Sequence, residues 1–211
     1  MKRMAMVCAL VVLALLLAMP MAGADVDTGM EGLWTAPTGG GQLTLLLGSG
    51  GTFISIFEAD ETYRQAGIFS VDIDNMYLTM SDGSSSTLAY GFAEGTLTLS
   101  GEGLDAELQR SDFTFKDDFT GVWVVDTSDG AGPGLVAMDG NGGFASVDAE
   151  TGEAAKGIYL PDHGDLLVAY QDGTSMQVGY QLDASNGRLT LTDPDNGSSV
   201  SLNRFVSPAT E

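Results

Sequence analysis

The residues best suited to chemistry in this 211-residue sequence are few, and its single histidine comes first. His163 lies between two acids in the segment Pro161-Asp162-His163-Gly164-Asp165. Such a histidine could bind a metal ion or exchange protons near neutral pH. The surrounding Pro and Gly are typical of a turn between strands, so we expect a solvated loop histidine. The one cysteine is Cys8, and no Gly-x-Ser-x-Gly elbow precedes a helix, so we predict no catalytic triad and no catalytic residue.

Acidic loops offer the next possible chemistry. The stretch Asp193-Pro194-Asp195-Asn196-Gly197-Ser198 places oxygen ligands at alternate positions, as a calcium loop does. It lacks the later Glu and the flanking helices of such a loop, and Asp is favoured in hairpin turns for its backbone hydrogen bonds. We therefore expect a hairpin loop and no cofactor, with Asp193 and Asp195 as the candidate ligands if a metal ion binds.

One polar and aromatic cluster lies outside the turns. Tyr63-Arg64-Gln65 precedes Gly67, and the matching segment later in the chain, Glu153-Ala154-Ala155, has neither Tyr nor Arg. If the two halves of the chain differ in function, Tyr63 and Arg64 are the candidate ligand-binding residues. The alternative, which we favour, is an ordinary strand surface.

The elements that position these candidates are predicted to be β-strands. Polar and apolar residues alternate in segments such as Thr96-Leu97-Thr98-Leu99-Ser100, which puts one face on a core and the other in water. Pairs such as Asp82-Gly83 and Asn186-Gly187 separate these segments and suit tight hairpins. No stretch after the N-terminal segment holds a helical period for three turns. The fold class is therefore all-β.

An internal repeat predicts two domains. Gly32-Leu33-Trp34 returns as Gly121-Val122-Trp123, and Leu108-Gln109-Arg110 returns as Leu202-Asn203-Arg204, with five further matches in order between them. Each copy has about eight short strands, and a meander of this kind does best to close into a barrel, because closure removes exposed strand edges. We predict two consecutive small antiparallel up-and-down barrels, residues 29–111 and 120–206, joined by a linker, residues 112–119.

The Gly-x-Trp motif that begins each copy and the Leu-x-Arg motif that ends it resemble those of the lipocalin-like small β-barrels of the calycin group. In that group a first-strand Trp lies at the closed end and a late Arg lies across its ring, a cation–π contact. The resemblance implies that Trp34 pairs with Arg110 and Trp123 with Arg204. Each copy is shorter than a full lipocalin, and side chains can fill a small barrel, so whether either holds a cavity stays open. The structural residues that the resemblance implies are Gly32, Trp34, Arg110, Gly121, Trp123 and Arg204.

The N-terminus is typical of a secretory signal peptide, residues 1–24. Lys2 and Arg3 precede an apolar run from Met4 to Met19, and Ala22-Gly23-Ala24 forms a small-residue cleavage motif. We expect cleavage after Ala24 and a secreted or periplasmic protein. A retained anchor is the weaker alternative, because the run is short for a membrane span and ends in the cleavage motif.

The net charge limits the class of partner. With 29 acidic and 8 basic residues the formal charge is −21. This charge argues against nucleic acid, whose phosphates require Lys and Arg, and against anionic membrane surfaces. It permits a cationic ligand, a divalent metal ion or a basic protein, and we favour solubility as its main role.

The function predicted from the sequence is a non-catalytic exported binding or interaction module with an unknown small ligand or protein partner. The alternative is a small-barrel inhibitor of a secreted protease, with Asp25 to Met30 as an arm that reaches the target. A third possibility is a carbohydrate-processing enzyme that uses two carboxylates at a barrel mouth. An open barrel interior would favour small-molecule binding, and a filled one would favour contacts at the surface.

Overall fold

Each half of the chain forms a closed eight-stranded antiparallel barrel in the computed structural model, which describes residues 29–111 and 118–206. The strands of the first barrel are β1 (Gly32–Thr38), β2 (Gly41–Leu47), β3 (Thr52–Glu58), β4 (Thr62–Val71), β5 (Asn75–Met80), β6 (Ser85–Ala93), β7 (Thr96–Gly101) and β8 (Leu104–Arg110). Those of the second are β9 (Gly121–Val125), β10 (Gly134–Met138), β11 (Gly143–Asp148), β12 (Ala154–Asp162), β13 (Asp165–Tyr170), β14 (Ser175–Asp183), β15 (Arg188–Thr192) and β16 (Ser199–Arg204).

The all-β class and the two consecutive barrels predicted from the sequence are confirmed. Within the described ranges the one helical element is a 3₁₀ turn, Thr127–Asp129, and none of these residues belongs to a helix long and apolar enough to span a bilayer. The predicted signal peptide and residues 112–117 of the predicted linker lie outside the described residues.

Each strand pairs with its neighbour in the chain, and the first strand closes each barrel against the last. In the first barrel Trp34 is paired with Arg110 across β1 and β8. In the second barrel Trp123 is paired with Arg204 across β9 and β16. The Gly-x-Trp and Leu-x-Arg motifs of each copy therefore lie side by side on the two strands that close the barrel.

Period-two alternation builds the interiors. On β7 Leu97 and Leu99 are buried while Thr98 is exposed, as expected for a strand with one face on the core. Strand β13 is different, because four consecutive residues, Leu166 to Ala169, are all buried. Both faces of β13 are therefore covered, one by the interior of its own barrel and the other by the first barrel.

The two barrels pack side by side through strands β3 and β4 of the first and β12 and β13 of the second. Outward-facing apolar side chains from both barrels join one buried cluster. We call this surface the interbarrel interface and define it by Leu46, Ile54, Ile56, Ile158, Leu160 and Leu167. Burial of apolar surface of this kind is the main favourable contribution to such packing.

Candidate functional site

The first barrel is closed at one end by a Trp–Arg pair, Trp34 and Arg110, and we call this closed end the floor. Trp34 is fully buried, and its Nε1 donates a hydrogen bond to the carbonyl oxygen of Met30 at 2.8 Å. The guanidinium carbon of Arg110 lies 4.8 Å from the centroid of the Trp34 rings, within cation–π range. Met30 ends the predicted inhibitor arm and is itself buried in this floor, whereas residues 25–28 of that arm lie outside the described residues.

The second barrel has the same floor. Trp123 is fully buried and donates from Nε1 to the carbonyl oxygen of Phe119 at 2.9 Å. Arg204 lies 4.8 Å from the centroid of its rings and donates to the carbonyl oxygen of Asp118. The structure thus brings together both pairs implied by the resemblance.

The backbone conformation explains why each Gly-x-Trp motif begins with glycine. Gly32 has φ 126° and Gly121 has φ 137°, values that residues with a Cβ rarely adopt. Both glycines are the first residues of their strands and lie two residues before the buried Trp. Their conformation therefore determines the direction in which the chain enters the first strand at the floor of each barrel. Their recurrence in the sequence reflects this shared conformation.

At the other end, the first barrel contains a cavity of about 310 Å³, which we call the cup. Leu104 at the start of β8 lines it, whereas Arg110 at the end of β8 lies on the floor. This volume is at the lower end of the range found for small-molecule sites in proteins. The apolar side chains of its wall are Leu43, Leu45, Phe53, Phe57, Met76, Leu78, Met80, Leu88, Leu99 and Leu104.

Polar residues complete the lining of the cup, and they are Ser55, Tyr63, Gln65, Ser85, Ser86 and Glu102. Glu102 lies in the turn between β7 and β8 with φ 51°, and its carboxylate accepts hydrogen bonds from Ser86 Oγ at 2.6 Å and from the backbone N–H of Thr87 at 3.4 Å. Tyr63 is 58% exposed, and its hydroxyl donates to Glu61 at 3.0 Å. Among the described lining residues, Glu102 is the one side chain that is charged at neutral pH.

In the second barrel the side chain is larger at two of the positions that match the lining of the cup. Tyr170 is the register equivalent of Met80, because each pairs with the glycine of the preceding strand, Gly157 or Gly67. The ring of Tyr170 meets Phe144 edge to face, with centroids 5.5 Å apart.

The Tyr170 hydroxyl also contacts Met176, and the first barrel has a serine at the position equivalent to Met176. The hydroxyl lies 3.1 Å from the Sδ atom of Met176, the equivalent of Ser86. Burial, with a smaller contribution from the charge of Asp172, raises the pKa of Tyr170 to about 12. Tyr170 and Met176 therefore take up more space than Met80 and Ser86, which line the cup in the first barrel.

The two predicted ligand-binding candidates lie on opposite faces of β4. Tyr63 lines the cup, and Arg64, the next residue, points outward to the second barrel because successive side chains of a strand alternate. Its Nε and Nη2 atoms lie 2.7 Å and 2.5 Å from Oδ2 of Asp162, which is 8% exposed. The structure therefore places Tyr63 at the cup and Arg64 in an ion pair beside the interbarrel interface.

His163 lies in the turn between β12 and β13, with φ 48° and a side chain that is 77% exposed. Its Nδ1 atom is 2.8 Å from Oδ1 of Asp162 and 3.9 Å from Oε1 of Glu58. Possible ligand atoms of these three residues lie within 4.8 Å of one another, the one such group in the described part of the chain. Because Asp162 is already paired with Arg64, whose charge would repel a dication, we interpret the group as a polar link between the barrels.

The Asp193 loop is a hairpin turn that satisfies its own carboxylate. Oδ1 of Asp193 accepts from the backbone N–H of Asp195 at 2.8 Å, and Oδ2 accepts from the Asn196 amide at 2.6 Å. The structure does not bring Asp193 and Asp195 together with a third described ligand side chain. The turn interpretation explains these acids without a metal ion.

A wider cleft of about 810 Å³ lies between the barrels. Acidic and basic side chains of both barrels line it, including Glu31, Arg110, Asp139 and Lys156, together with glycine backbone. One wall ends at Ser111, where the described part of the first barrel ends. Its lining shows no single chemistry, so we assign the site to the cup.

The sequence did not lead us to expect the interbarrel interface and left open whether either barrel holds a cavity, although the residue pattern carries a signal for both. The apolar runs Leu45-Leu46-Leu47 and Leu166 to Ala169 are typical of strands buried on both faces. The change from Met80 to Tyr170 at equivalent positions indicates that the two interiors are filled differently.

No family model and no curated protein matches this sequence. Among solved structures, the Cpx pathway activator NlpE from Escherichia coli is 16% identical, with 84% of this chain and 93% of that chain covered and a TM-score of 0.28. The DNA polymerase III β subunits of Thermotoga maritima and Bartonella birtlesii are 12% and 13% identical, cover 90% and 89% of this chain and 60% of their own chains, and have TM-scores of 0.16. At these TM-scores the likenesses carry no property over to this chain, and its fold is established by its own strand pairing as two consecutive closed antiparallel barrels.

Proposed function

We propose that this chain is a non-catalytic exported binding protein whose first barrel takes up a small apolar molecule in the cup. The second barrel, which carries the larger Tyr170 and Met176 at two of the matching positions, supports the first through the interbarrel interface. The single observation that carries this proposal is the cavity of about 310 Å³ in the first barrel, where Met80 stands at the register position of the larger Tyr170.

The chemistry of the cup supports binding rather than catalysis. Its wall is mostly aliphatic and aromatic, with a few polar groups at the rim, which is the usual composition of a small-molecule site. Glycoside hydrolysis by paired carboxylates requires two acids at the reacting bond, and Glu102 is the one acid among the described lining residues. The up-and-down strand order and the Trp–Arg floors support the lipocalin-like resemblance, and the N-terminal segment supports export.

The test is a binding titration of the full chain with an uncharged fluorescent apolar probe, N-phenyl-1-naphthylamine. We expect saturable binding with one probe per chain. Met80→Tyr, which places the second barrel's residue in the cup, is expected to weaken binding by at least about tenfold, equivalent to 1.4 kcal/mol. Thr79→Tyr is the matched control, because it adds the same side chain one residue away on the exposed face of β5.

Two outcomes would overturn the proposal. The first is a parent protein that fails to bind the probe with saturation. The second is equal loss of binding in Met80→Tyr and Thr79→Tyr, which would place the probe outside the cup. Thermal melts of both variants exclude unfolding as the cause of any loss.

A further inference from the structure

The rim of the cup is acidic, and this determines the class of head group that the site accepts. Glu102 is the one charged side chain among the described residues that line the cup, and no Lys, Arg or His is among them. Resting on the proposed function, we propose that the cup selects molecules with an apolar tail and a cationic, hydrogen-bond-donating head, such as a long-chain amine, over those with a carboxylate head.

The geometry of Glu102 supports a fixed acceptor at the rim. Its carboxylate accepts from Ser86 Oγ at 2.6 Å and from the Thr87 backbone at 3.4 Å. An ionised carboxylate has about four acceptor positions, so two hydrogen bonds leave room for a donor from a ligand. Because Ser86 also lines the cup, this hydrogen bond holds the carboxylate beside the opening.

The charges around the rim point in the same direction. Glu61 holds the hydroxyl of Tyr63, so a second acid lies next to a residue that lines the cup. With a formal charge of −21 over the whole chain, the field attracts a cation and repels an anion during the encounter. A ligand with a carboxylate head would also place a second negative charge next to Glu102, and the two carboxylates would repel each other.

The volume sets the size of the tail. About 310 Å³ corresponds to roughly ten water volumes, and a methylene group is similar in size to a water molecule. A chain of about ten carbons would therefore fill the cup, with its head at the rim beside Glu102. Decylamine, decanol and decanoate form a matched series that differs only in the head group.

The experiment measures displacement of N-phenyl-1-naphthylamine from the full chain at pH 7 by each member of this series, below the solubility limit of decanol and the micelle concentrations of decylamine and decanoate. We expect decylamine to bind about three- to tenfold more tightly than decanol, and decanoate to bind more weakly than both, which is the size of one exposed charge-assisted hydrogen bond. Glu102→Gln is expected to reduce decylamine affinity to that of decanol, both measured on the same variant.

Glu94→Gln is the matched control. Glu94 also has φ 51° and precedes a glycine, but it lies in the turn between β6 and β7 at the floor end of the same barrel. A measurement without variants gives the same information, because raising the salt concentration should weaken decylamine and leave decanol unchanged.

The outcomes separate this inference from the proposed function. If decanol displaces the probe but decylamine and decanoate bind equally well, the head-group inference is wrong and the apolar site stands. Equal effects of Glu94→Gln and Glu102→Gln would also overturn the inference. If no member of the series displaces the probe and the probe itself does not bind, both proposals are wrong.

Discussion

At the scale of the residue, Trp34 and Trp123 show how two positions can carry the same contacts in two barrels. Each indole is fully buried, donates to the carbonyl four residues earlier, and lies under a guanidinium that comes from the last strand. These contacts link the first and last strands of each barrel. They make the floor a structural element whose loss should reduce stability before it changes binding.

Trp34→Ala tests this role. Removing a buried indole leaves a cavity, so we expect the free energy of unfolding to fall by about 3–5 kcal/mol in urea denaturation. The control is Ile73→Ala, because Ile73 is 92% exposed and its loss should change stability by less than about 0.5 kcal/mol. A Trp34→Ala protein that unfolds at the same urea concentration as the parent would contradict the burial of this side chain.

At the scale of the element, the interbarrel interface depends on strands whose outer faces are apolar. Ile54 on β3 and Leu167 on β13 point away from their own barrels and are 0% and 5% exposed because the other barrel covers them. Beside them Arg64 reaches from β4 to Asp162 on β12. Apolar burial supplies the affinity here, and the ion pair sets the position of the two barrels.

A double-mutant cycle on Arg64→Ala and Asp162→Ala measures that ion pair. Because Asp162 is 8% exposed and Arg64 is 26% exposed, we expect a coupling energy of about 1–3 kcal/mol from unfolding curves. Arg188 and Asp126 provide the matched control, since they are 3.8 Å apart and more exposed, and their coupling should be below about 1 kcal/mol. Equal coupling in the two pairs would show that Arg64 does not link the barrels.

The strands and their pairing could be predicted from the sequence, and the packing between barrels could not. Period-two alternation around residues such as Leu97 and the Gly turns specify local structure, so the prediction of about eight strands in each copy agrees with the structure. Which outer face meets which, as with Ile54 and Leu167, depends on the shapes of two folded barrels. Strand alternation places Tyr63 and Arg64 on opposite faces of β4, but only the folded barrels show that one face lines the cup and the other meets the second barrel.

At the scale of the whole molecule, one hydrophobic cluster includes residues of both barrels. A cluster shared in this way couples the unfolding of its parts, because exposing one barrel's outer face uncovers the other's. The chain should therefore behave as one cooperative unit although it has two separate interiors.

Differential scanning calorimetry tests this coupling. We expect one transition for the parent protein, with equal calorimetric and van't Hoff enthalpies. Ile54→Asp places a charge in the interbarrel interface and should split the transition into two, one for each barrel. Thr79→Asp, on an exposed strand face, should leave a single transition. Two transitions in the parent would show that the barrels unfold independently.

The interbarrel interface has a consequence for how duplicated halves diverge. Outer strands of both barrels must keep surfaces that fit each other, whereas under the proposed function only the first barrel must also keep an interior that fits a ligand. Selection should therefore act on the outer interface strands of both copies and on the inside of the first. Related sequences are expected to vary more among the inward-facing residues of the second half than among those of the first.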